Sequence, residues 1–455
     1  MRRITLFEPR YPHGRVKTYL PGGLMNLGSR LLEAGIEVSF FDLNHTDLES
    51  PEVRSELDRS NFVGWSVIGT PYIPDVMRDI ARVRFMGYQQ LVLVGGEGIN
   101  NLHCPADFTN WFSRLGQVVP VTTDQACEQA LDLAPGSLRS AFDTSSVRML
   151  MQLTEAQRRL YLTSEFALFL ANGCMFNCSF CAAAKNRPEQ YRSLRALEEE
   201  VEYICSSLVS IGHSTFTAYL TNLDVFQSVD KLELCLAAVS RIARRHGIVL
   251  HLRGLATSKW TVRECRKDLE LATRLRSYGL ETVGFGADGG SEAAFRRVNK
   301  GHNTLSEAEE FLRLMQEAGI EPEMLTVVGF PADMFRDVFL TLRFVFRHAL
   351  RGVVIRPYCA RAYTPSGEWP DDNPQVEEFR KNPKLLIRLD YTMLACKETH
   401  PLWPQRWRAN IAYLLIVLLL TPFRLCRTSP LVPVPRWWLG RKIAQFINRH
   451  ASFER

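Results

Sequence analysis

The chain has 455 residues, of which 46% are hydrophobic and 23% are charged. This composition is typical of a folded globular protein, and the length allows two or three domains with a large buried core. The formal net charge of +6 is not spread evenly, because residues 401–455 hold nine Lys or Arg and one acidic residue. The residues before them carry a net charge of −2, so the basic character belongs to the carboxyl-terminal part alone.

The eleven cysteines are odd in number and mostly scattered, which argues against a disulfide framework. They favour a reducing compartment, where clustered thiols bind metal or take part in chemistry. The first residues, 1–8, are strand-like and show no cationic stretch followed by an apolar run, so we expect no secretory signal. The predicted location is the cytoplasm.

Residues 1–135 alternate strand and helix patterns, which predicts a Rossmann-like, doubly wound parallel sheet. The predicted strands are 3–9, 36–43, 61–69, 90–98 and 117–121, and the predicted helices are 22–35, 74–86 and one from Asp124. Ligands of such sheets bind beyond the carboxyl ends of the strands. The segments on that rim are "EPRYPHG", "SVIGTPY" and "GGEG".

Residues 136–164 are mixed in composition and are predicted to connect two domains, with one helix near 147–160. A second alternating series occupies residues 165–388. Its predicted strands are 165–173, 214–222, 247–256, 282–290, 321–331 and 352–359, with helices such as 306–318 and 332–347 between them. Six strand–helix repeats predict a partial (β/α)6 barrel of the TIM type. The predicted fold class is therefore α/β.

Three cysteines, Cys174, Cys178 and Cys181, follow the first barrel strand at a C-x3-C-x2-C spacing. A closed zinc site needs four ligands, and no fourth Cys or His stands near in sequence, although a distant one could close the site. An iron–sulfur cluster fits the spacing better, because three thiolates can hold three of its four irons. The fourth iron would then stay open for a substrate or cofactor.

The segment "CMFNCSFC" resembles the C-x3-C-x-aromatic-C signature of the radical S-adenosylmethionine (radical SAM) enzymes. Three later segments resemble conserved barrel strands and loops of the same superfamily. They are "VGFGADGGSEAAFRRVNKGHN" (283–303), "AGIEPEMLTVVGFPADMFRD" (318–337) and "YCARAYTPSGEW" (358–369). The resemblance spans roughly residues 160–385.

The resemblance implies a [4Fe–4S] cluster held by the three cysteines, with SAM bound to the open iron and cleaved to a 5′-deoxyadenosyl radical. It further implies contacts to SAM from several strand ends. The residues at those positions are Thr221, Asn222 and Asp224 near the amino group, Arg253 near a carboxylate, and Gly286, Asp288 and Ser291 near the ribose. Two segments depart from the family pattern, "LTNLDVF" and "GADGGS". Turns at strand ends are an alternative role for Asp224 and Ser291, as is an ion pair for Arg253.

A Rossmann-like domain before such a barrel resembles the cobalamin-dependent branch of the superfamily. A flat corrinoid needs small residues at strand ends, and Gly69, Thr70, Gly95 and Gly96 suit it. The D-x-H-x-x-G signature is absent, and His45 lies in an unrelated context, so the resemblance implies cobalamin without a histidine on its lower face. The alternative is a domain that binds nothing and only packs on the barrel.

Residues 389–455 are predicted to form a helical, basic, Trp-rich extension. The run "IAYLLIVLLL" (411–420) is too short to span a bilayer. Its arginine and tryptophan neighbours favour a peripheral contact with anionic lipid at the inner face of the membrane, and a buried core helix is the alternative. Nucleic acid is not expected as a partner, because phosphate binding does not need the leucines.

Together these features predict a cobalamin-dependent radical SAM C-methyltransferase that acts at an unactivated carbon of a small molecule. An electron donor such as flavodoxin or ferredoxin is the implied partner. The alternatives are cyclisation or rearrangement on the same architecture, and a non-enzymatic iron–sulfur or zinc protein. Methylthio transfer to tRNA is disfavoured, because the amino-terminal domain lacks a second cysteine cluster.

Overall fold

The structure is a computed structural model that describes residues 2–11, 19–102, 104–181, 187–328, 330, 335–359 and 374–387. The predicted α/β fold class is confirmed, with one parallel sheet in the amino-terminal region and a second in the middle of the chain. The predicted extension at 389–455 lies outside the described residues. Within the described ranges, no helix is both long enough and apolar enough to cross a membrane.

The amino-terminal sheet has five parallel strands among the described residues, in the order β2-β1-β3-β4-β5. The strands are β1 (Arg3–Glu8), β2 (Glu37–Asp42), β3 (Phe62–Ser66), β4 (Leu91–Gly95) and β5 (Val118–Val121). The helices are α1 (Gly22–Glu33), α2 (Pro51–Arg59), α3 (Ile73–Phe85), α4 (Glu97–Asn100), α5 (Pro105–Phe112) and α6 (Asp124–Ala130). The strand order reverses between β1 and β3, which makes their carboxyl ends the expected place for a ligand.

The connection between the two sheets contains two short helices, α7 (Val147–Leu150) and α8 (Glu155–Leu162), where the sequence predicts one. Thr154 separates them, because its hydroxyl and the Gln157 side chain form a reciprocal capping box that starts α8. Arg192 and Glu200, a buried ion pair of the barrel region 2.7 Å apart, both bond to the connection, and Arg192 donates to the Thr144 carbonyl at 3.0 Å. Glu200 also accepts a hydrogen bond from the Ser146 amide at 2.7 Å.

The second sheet has six parallel strands among the described residues, in the order β13-β12-β11-β10-β9-β6. The strands are β6 (Phe166–Leu168), β9 (Thr215–Leu220), β10 (Val249–Ala256), β11 (Leu280–Gly286), β12 (Glu321–Val328) and β13 (Val354–Cys359). Neighbours in space are successive in the chain, and helices lie between them, as expected of a partial barrel. The helices are α9 (Leu194–Ser210), α10 (Val229–Arg245), α11 (Ser258–Lys267), α12 (Leu271–Ser277), α13 (Glu292–Arg297), α14 (Leu305–Glu317) and α15 (Phe335–Leu350).

A helix after the last barrel strand, α16 (Pro374–Lys381), returns to the amino-terminal domain. Val376 and Phe379 are fully buried in the same apolar cluster as residues of β3 and α3. Arg380 forms an ion pair with Asp107 at 3.1 Å, and its carbonyl accepts a hydrogen bond from the Trp111 indole at 2.9 Å. The sequence interpretation assigned these residues to the barrel, whereas the structure packs them on the first sheet.

Candidate active site

The cysteine loop, residues 173–189, is closed at its base by a short antiparallel pair of strands. These are β7 (Ala171–Asn172) and β8 (Gln190–Tyr191). Gly173 starts the loop with φ +114°, and a Cβ at this position would lie 2.5 Å from the Pro188 carbonyl oxygen. Only glycine permits both this backbone conformation and so close an approach. The loop therefore leaves the first barrel strand in a fixed direction.

Two hydrogen bonds hold the start of the loop at its first cysteine and the residue after it. The Arg187 amide donates to the Cys174 carbonyl at 3.0 Å, and the Met175 amide donates to the Gln227 side-chain oxygen at 2.9 Å. Cys174, Cys178 and Cys181 are all free thiols and half-buried. Burial raises the pKa of Cys178 to about 11, although the Lys300 ammonium opposes that rise. The Cys178 thiol is therefore protonated near neutral pH and must lose its proton to bind iron.

The three cysteines lie close enough to interact electrostatically with one another. No group of three or more His, Cys, Asp or Glu side chains in the described ranges is arranged as a ready-made ligand set for a metal ion. The described part of the loop ends at Cys181 and resumes at Arg187. The role of the three cysteines as ligands stays a prediction.

The carboxyl end of β9 lies beside the end of the cysteine loop, where Asn222 bonds to Glu189, and its contact with SAM stays a prediction. The Thr221 hydroxyl and the Asn222 side-chain oxygen are buried and have no hydrogen-bond partner in the described structure. The Asn222 amide nitrogen donates to Glu189 at 3.0 Å, which fixes the direction of the unpartnered oxygen. Unsatisfied buried acceptors are rare in folded proteins and point to a missing donor. An amino group of a ligand is a suitable donor for these two oxygens.

Asp224, the third predicted residue of this group, is fully buried and already bonded within the protein. Its carboxylate accepts hydrogen bonds from the Thr257 hydroxyl at 2.7 Å and from the Phe226 amide at 3.1 Å. Burial raises the pKa of Asp224 to about 7. The bond from the Phe226 amide, two residues later, closes a turn at the strand end. Such a turn is the alternative role that the sequence suggests for Asp224. A direct contact with SAM stays a prediction for this residue.

Arg253 lies on the inner face of the barrel, on β10. Its guanidinium is 3.1 Å from Glu165 and 3.7 Å from Glu323, and it lies over the Tyr219 ring. Arg356 pairs with the same Glu323. Side chains inside a barrel are usually apolar and branched, so a charged network here is unusual. These contacts match the ion-pair alternative, and the contact with a carboxylate of SAM stays a prediction.

The segment predicted to approach the ribose follows β11. Asp288 is buried and forms an ion pair with Lys300, which is also buried. A Cβ on Gly286 would lie 2.2 Å from the Lys300 nitrogen, so glycine makes room for that pair. The Ser291 hydroxyl caps α13 by accepting a hydrogen bond from the Ala294 amide at 3.1 Å. This cap is the turn-like alternative for Ser291.

The four residues predicted to border a corrinoid lie together at the carboxyl edge of the first sheet. The loops after β3 and β4 are joined by backbone bonds of 2.7 Å, from the Val67 amide to the Gly95 carbonyl and from the Gly98 amide to the Val67 carbonyl. Cβ atoms on Gly95 and Gly96 would lie 2.9 and 2.7 Å from neighbouring carbonyl oxygens. Gly96 is thus already required by the packing of the two loops, and Gly95 by the close approach of Val121 on β5.

The same edge exposes apolar side chains at the point where the strand order reverses. Ile68, which follows β3, is 52% exposed, and Tyr11, which follows β1, is 41% exposed. Gly69 and Thr70 stand directly beside Ile68. Exposed apolar groups at this position are typical of a surface that receives a ligand or a partner. His45 lies at the end of β2, where its ring is 6.2 Å from that of Tyr161.

Residues 168–345 match the family model of the radical SAM superfamily. The resemblance predicted from the sequence is confirmed, and the chain contains a radical SAM domain. This superfamily consists of enzymes that use SAM together with an iron–sulfur cluster. The match covers the cysteine loop and the barrel strands β9 to β12, and it ends before β13.

Curated relatives include two enzymes named tRNA-2-methylthio-N(6)-dimethylallyladenosine synthase. The protein of Ehrlichia ruminantium (strain Gardel) is 23% identical over 244 residues, which is 50% of this chain and 52% of that protein. The protein of Neisseria gonorrhoeae (strain NCCP11945) is 25% identical over 225 residues, which is 47% of each chain. The chain thus spans about half the length of the curated relatives it matches.

Two solved structures share the fold of both domains. The radical SAM methyltransferase TsrM from Kitasatospora setae, with tryptophan substrate and a SAM analogue bound, has a TM-score of 0.59 at 20% identity. The comparison covers 81% of this chain and 75% of TsrM. The cobalamin-dependent SAM radical enzyme OxsB, with aqua-cobalamin and SAM bound, has a TM-score of 0.61 at 13% identity. That comparison covers 85% of this chain and 56% of OxsB. At these identities the likeness concerns the fold.

The roles of the loop cysteines can be tested by replacing each of them in turn. We expect Cys174→Ala, Cys178→Ala and Cys181→Ala each to lose most of the iron and sulfide bound after anaerobic reconstitution, since a cluster held by three thiolates loses a ligand. Cys104→Ala is the matched control, because Cys104 is also half-buried but lies in the amino-terminal domain. Wild-type iron content in any of the three loop variants would contradict the assignment.

Proposed function

We propose that this chain is a cobalamin-dependent radical SAM enzyme that methylates an unactivated carbon of a small molecule. The observation that carries the proposal is the pair of buried, unpartnered oxygens of Thr221 and Asn222 beside the cysteine loop. They lie at the carboxyl end of a barrel strand, where barrels of this type place their chemistry. A cluster on the loop and the amino group of SAM donating to these oxygens would bring SAM to the mouth of the barrel.

The residues of the site fit the cofactors that the proposal requires. The loop cysteines would hold the cluster, and the exposed rim around Ile68 and Gly69 would receive cobalamin without a protein histidine. When bound, the cluster and SAM supply a radical and cobalamin supplies the methyl group. The chain itself binds and orients these groups and, with the buried walls of the barrel, excludes water.

Methylthio transfer to tRNA is the second candidate, because it is the activity named for the curated relatives. Residues 1–135 contain two cysteines, Cys104 and Cys127, and Cys127 is buried in the core. Two thiols so placed cannot supply the three ligands of a second cluster. Their number therefore favours methylation over methylthio transfer. Cyclisation or rearrangement on the same architecture would differ from methylation in releasing no S-adenosylhomocysteine.

Product analysis separates these reactions. We expect anaerobic incubation of the reconstituted full chain with SAM and a reductant to release 5′-deoxyadenosine together with S-adenosylhomocysteine, since one SAM yields the radical and another the methyl group. Cys181→Ala should release neither product and serves as the control for non-enzymatic cleavage. Release of 5′-deoxyadenosine alone, in the presence of bound cobalamin, would contradict methylation and favour cyclisation or rearrangement.

Cobalamin binding has its own test. We expect protein expressed with ample cobalamin to show corrinoid absorption bands in addition to those of the cluster. A Cβ on Gly69 would meet only the Pro71 ring, at 3.6 Å, so Gly69→Phe should fold, keep its iron and lose cobalamin. A wild-type spectrum with a cluster but no corrinoid bands would contradict the cobalamin assignment, and unchanged cobalamin in Gly69→Phe would contradict the position of its site.

We also propose that residues 401–455 hold the protein at the inner face of the membrane and that the substrate is apolar, such as an isoprenoid or a tetrapyrrole. The support is the sequence pattern alone, with basic and tryptophan residues around the apolar run 411–420. We expect the full chain to sediment partly with membranes and a variant lacking 401–455 to stay in the supernatant. Full-length protein found wholly in the soluble fraction would contradict the proposal.

A further inference from the structure

The outer side of the cysteine loop is held by residues 298–300, which follow α13. The Ser179 amide donates a hydrogen bond to the Val298 carbonyl at 3.0 Å. The Asn299 side-chain amide donates to the Asn177 carbonyl at 2.5 Å, and the Lys300 nitrogen lies 5.8 Å from the centre of the Phe180 ring. The three consecutive residues of this segment thus each contact the part of the loop between its first and last cysteines.

The backbone of Asn299 explains how one short segment reaches the loop with three groups. Asn299 has φ +51°, in the left-handed region that residues other than glycine seldom adopt. Asparagine tolerates this conformation better than most residues and is a known helix terminator. The turn ends α13, after which the Lys300 amide donates to the Phe295 carbonyl at 2.7 Å. The Val298 carbonyl points to the loop, and the Lys300 side chain enters the protein interior.

Lys300 and Asp288 form a charge pair that is almost fully removed from water. Lys300 is 7% exposed and Asp288 is 3% exposed. Burying such a pair carries a desolvation penalty that the ionic attraction often fails to offset, so the pair is weak evidence for stability alone. The space for it comes from Gly286, as described above. Lys300 also interacts electrostatically with the Cys178 and Cys181 thiols.

We propose that the Lys300–Asp288 pair sets the reduction potential of the iron–sulfur cluster held by the cysteine loop. Reduction adds one electron, and therefore one negative charge, to the cluster. A buried positive charge beside the thiolates favours the reduced cluster, and a buried negative charge disfavours it, because the low dielectric of the interior screens them little. Lys300 is thus a tuning residue for the cluster, and Asp288 fixes its position and moderates its effect.

This inference rests on the proposed function, because it presupposes the cluster, but it assigns the pair a role that needs no contact with SAM or substrate. A purely structural pair would change stability and iron content when broken, and the potential of any cluster retained would stay the same. A pair that sets the potential predicts more than a structural pair does. Removing either partner must shift the potential, and the two shifts must have opposite signs.

The test is an EPR-monitored redox titration of the reconstituted full chain, without SAM, using dithionite and mediators. In Lys300→Met we expect a more negative midpoint potential. The ratio of reduced to oxidised cluster at a fixed potential should be about tenfold lower, which corresponds to a shift of about 59 mV for one electron. In Asp288→Asn we expect a less negative potential, because the lysine charge is then uncompensated. The double variant should lie between the two.

Lys267→Met is the matched control, because Lys267 is an exposed lysine on α11 that pairs with Glu264, and its removal should leave the potential unchanged. Potentials in Lys300→Met and Asp288→Asn that stay at the wild-type value, or that move in the same direction, would overturn the inference. If Lys300→Met fails to retain its cluster, the sign of the shift in Asp288→Asn decides. A wild-type chain that assembles no cluster would instead contradict the proposed function.

Discussion

The structure depends on holding a loop with three thiols in one position at the end of a barrel strand. The β7–β8 pair and Gly173 fix the base of the loop, and residues 298–300 hold its outer side. The end of β9 is bonded to the loop through the Asn222 amide nitrogen and Glu189, and Lys300 of the Lys300–Asp288 pair lies near the Phe180 ring.

The two domains are joined by contacts that are polar as well as apolar. The Tyr161 hydroxyl donates to Asp42 at 2.9 Å, which links α8 to the end of β2. The bonds of Arg192 to the Thr144 carbonyl and of the Ser146 amide to Glu200 secure the connection to the barrel, and α16 returns to close the apolar core of the first domain. The turn at Thr70–Tyr72, on the proposed cobalamin rim, packs against residues 383–387. A ligand on that rim would therefore lie near residues of the amino-terminal domain and near residues 383–387, the last that the structure describes.

The sequence predicts the features that depend on local pattern. Alternating strands and helices indicate both sheets, and the spacing of the cysteines indicates the site. Three helices of the first domain, α2, α4 and α5, escape prediction. Start signals are present for two of them: Ser50 caps α2 with a proline after it, and Pro105 begins α5. Other contacts of the site and the fold join residues far apart in the chain. The separation is 33 positions for Asp224 and Thr257, 12 for Lys300 and Asp288, and 269 for Arg380 and Trp111. Such contacts follow from the packing of elements and have no local signal in the sequence.

The central claim is that an iron of the cluster has no cysteine ligand and is the binding site of SAM. The direct measurement is electron–nuclear double resonance on the reduced cluster with SAM labelled with nitrogen-15 in its amino group. We expect a hyperfine coupling from the labelled nitrogen to the cluster, lost when unlabelled SAM replaces it. A reduced cluster that shows no such coupling at saturating SAM, or that has a fourth ligand from the protein, would contradict the account.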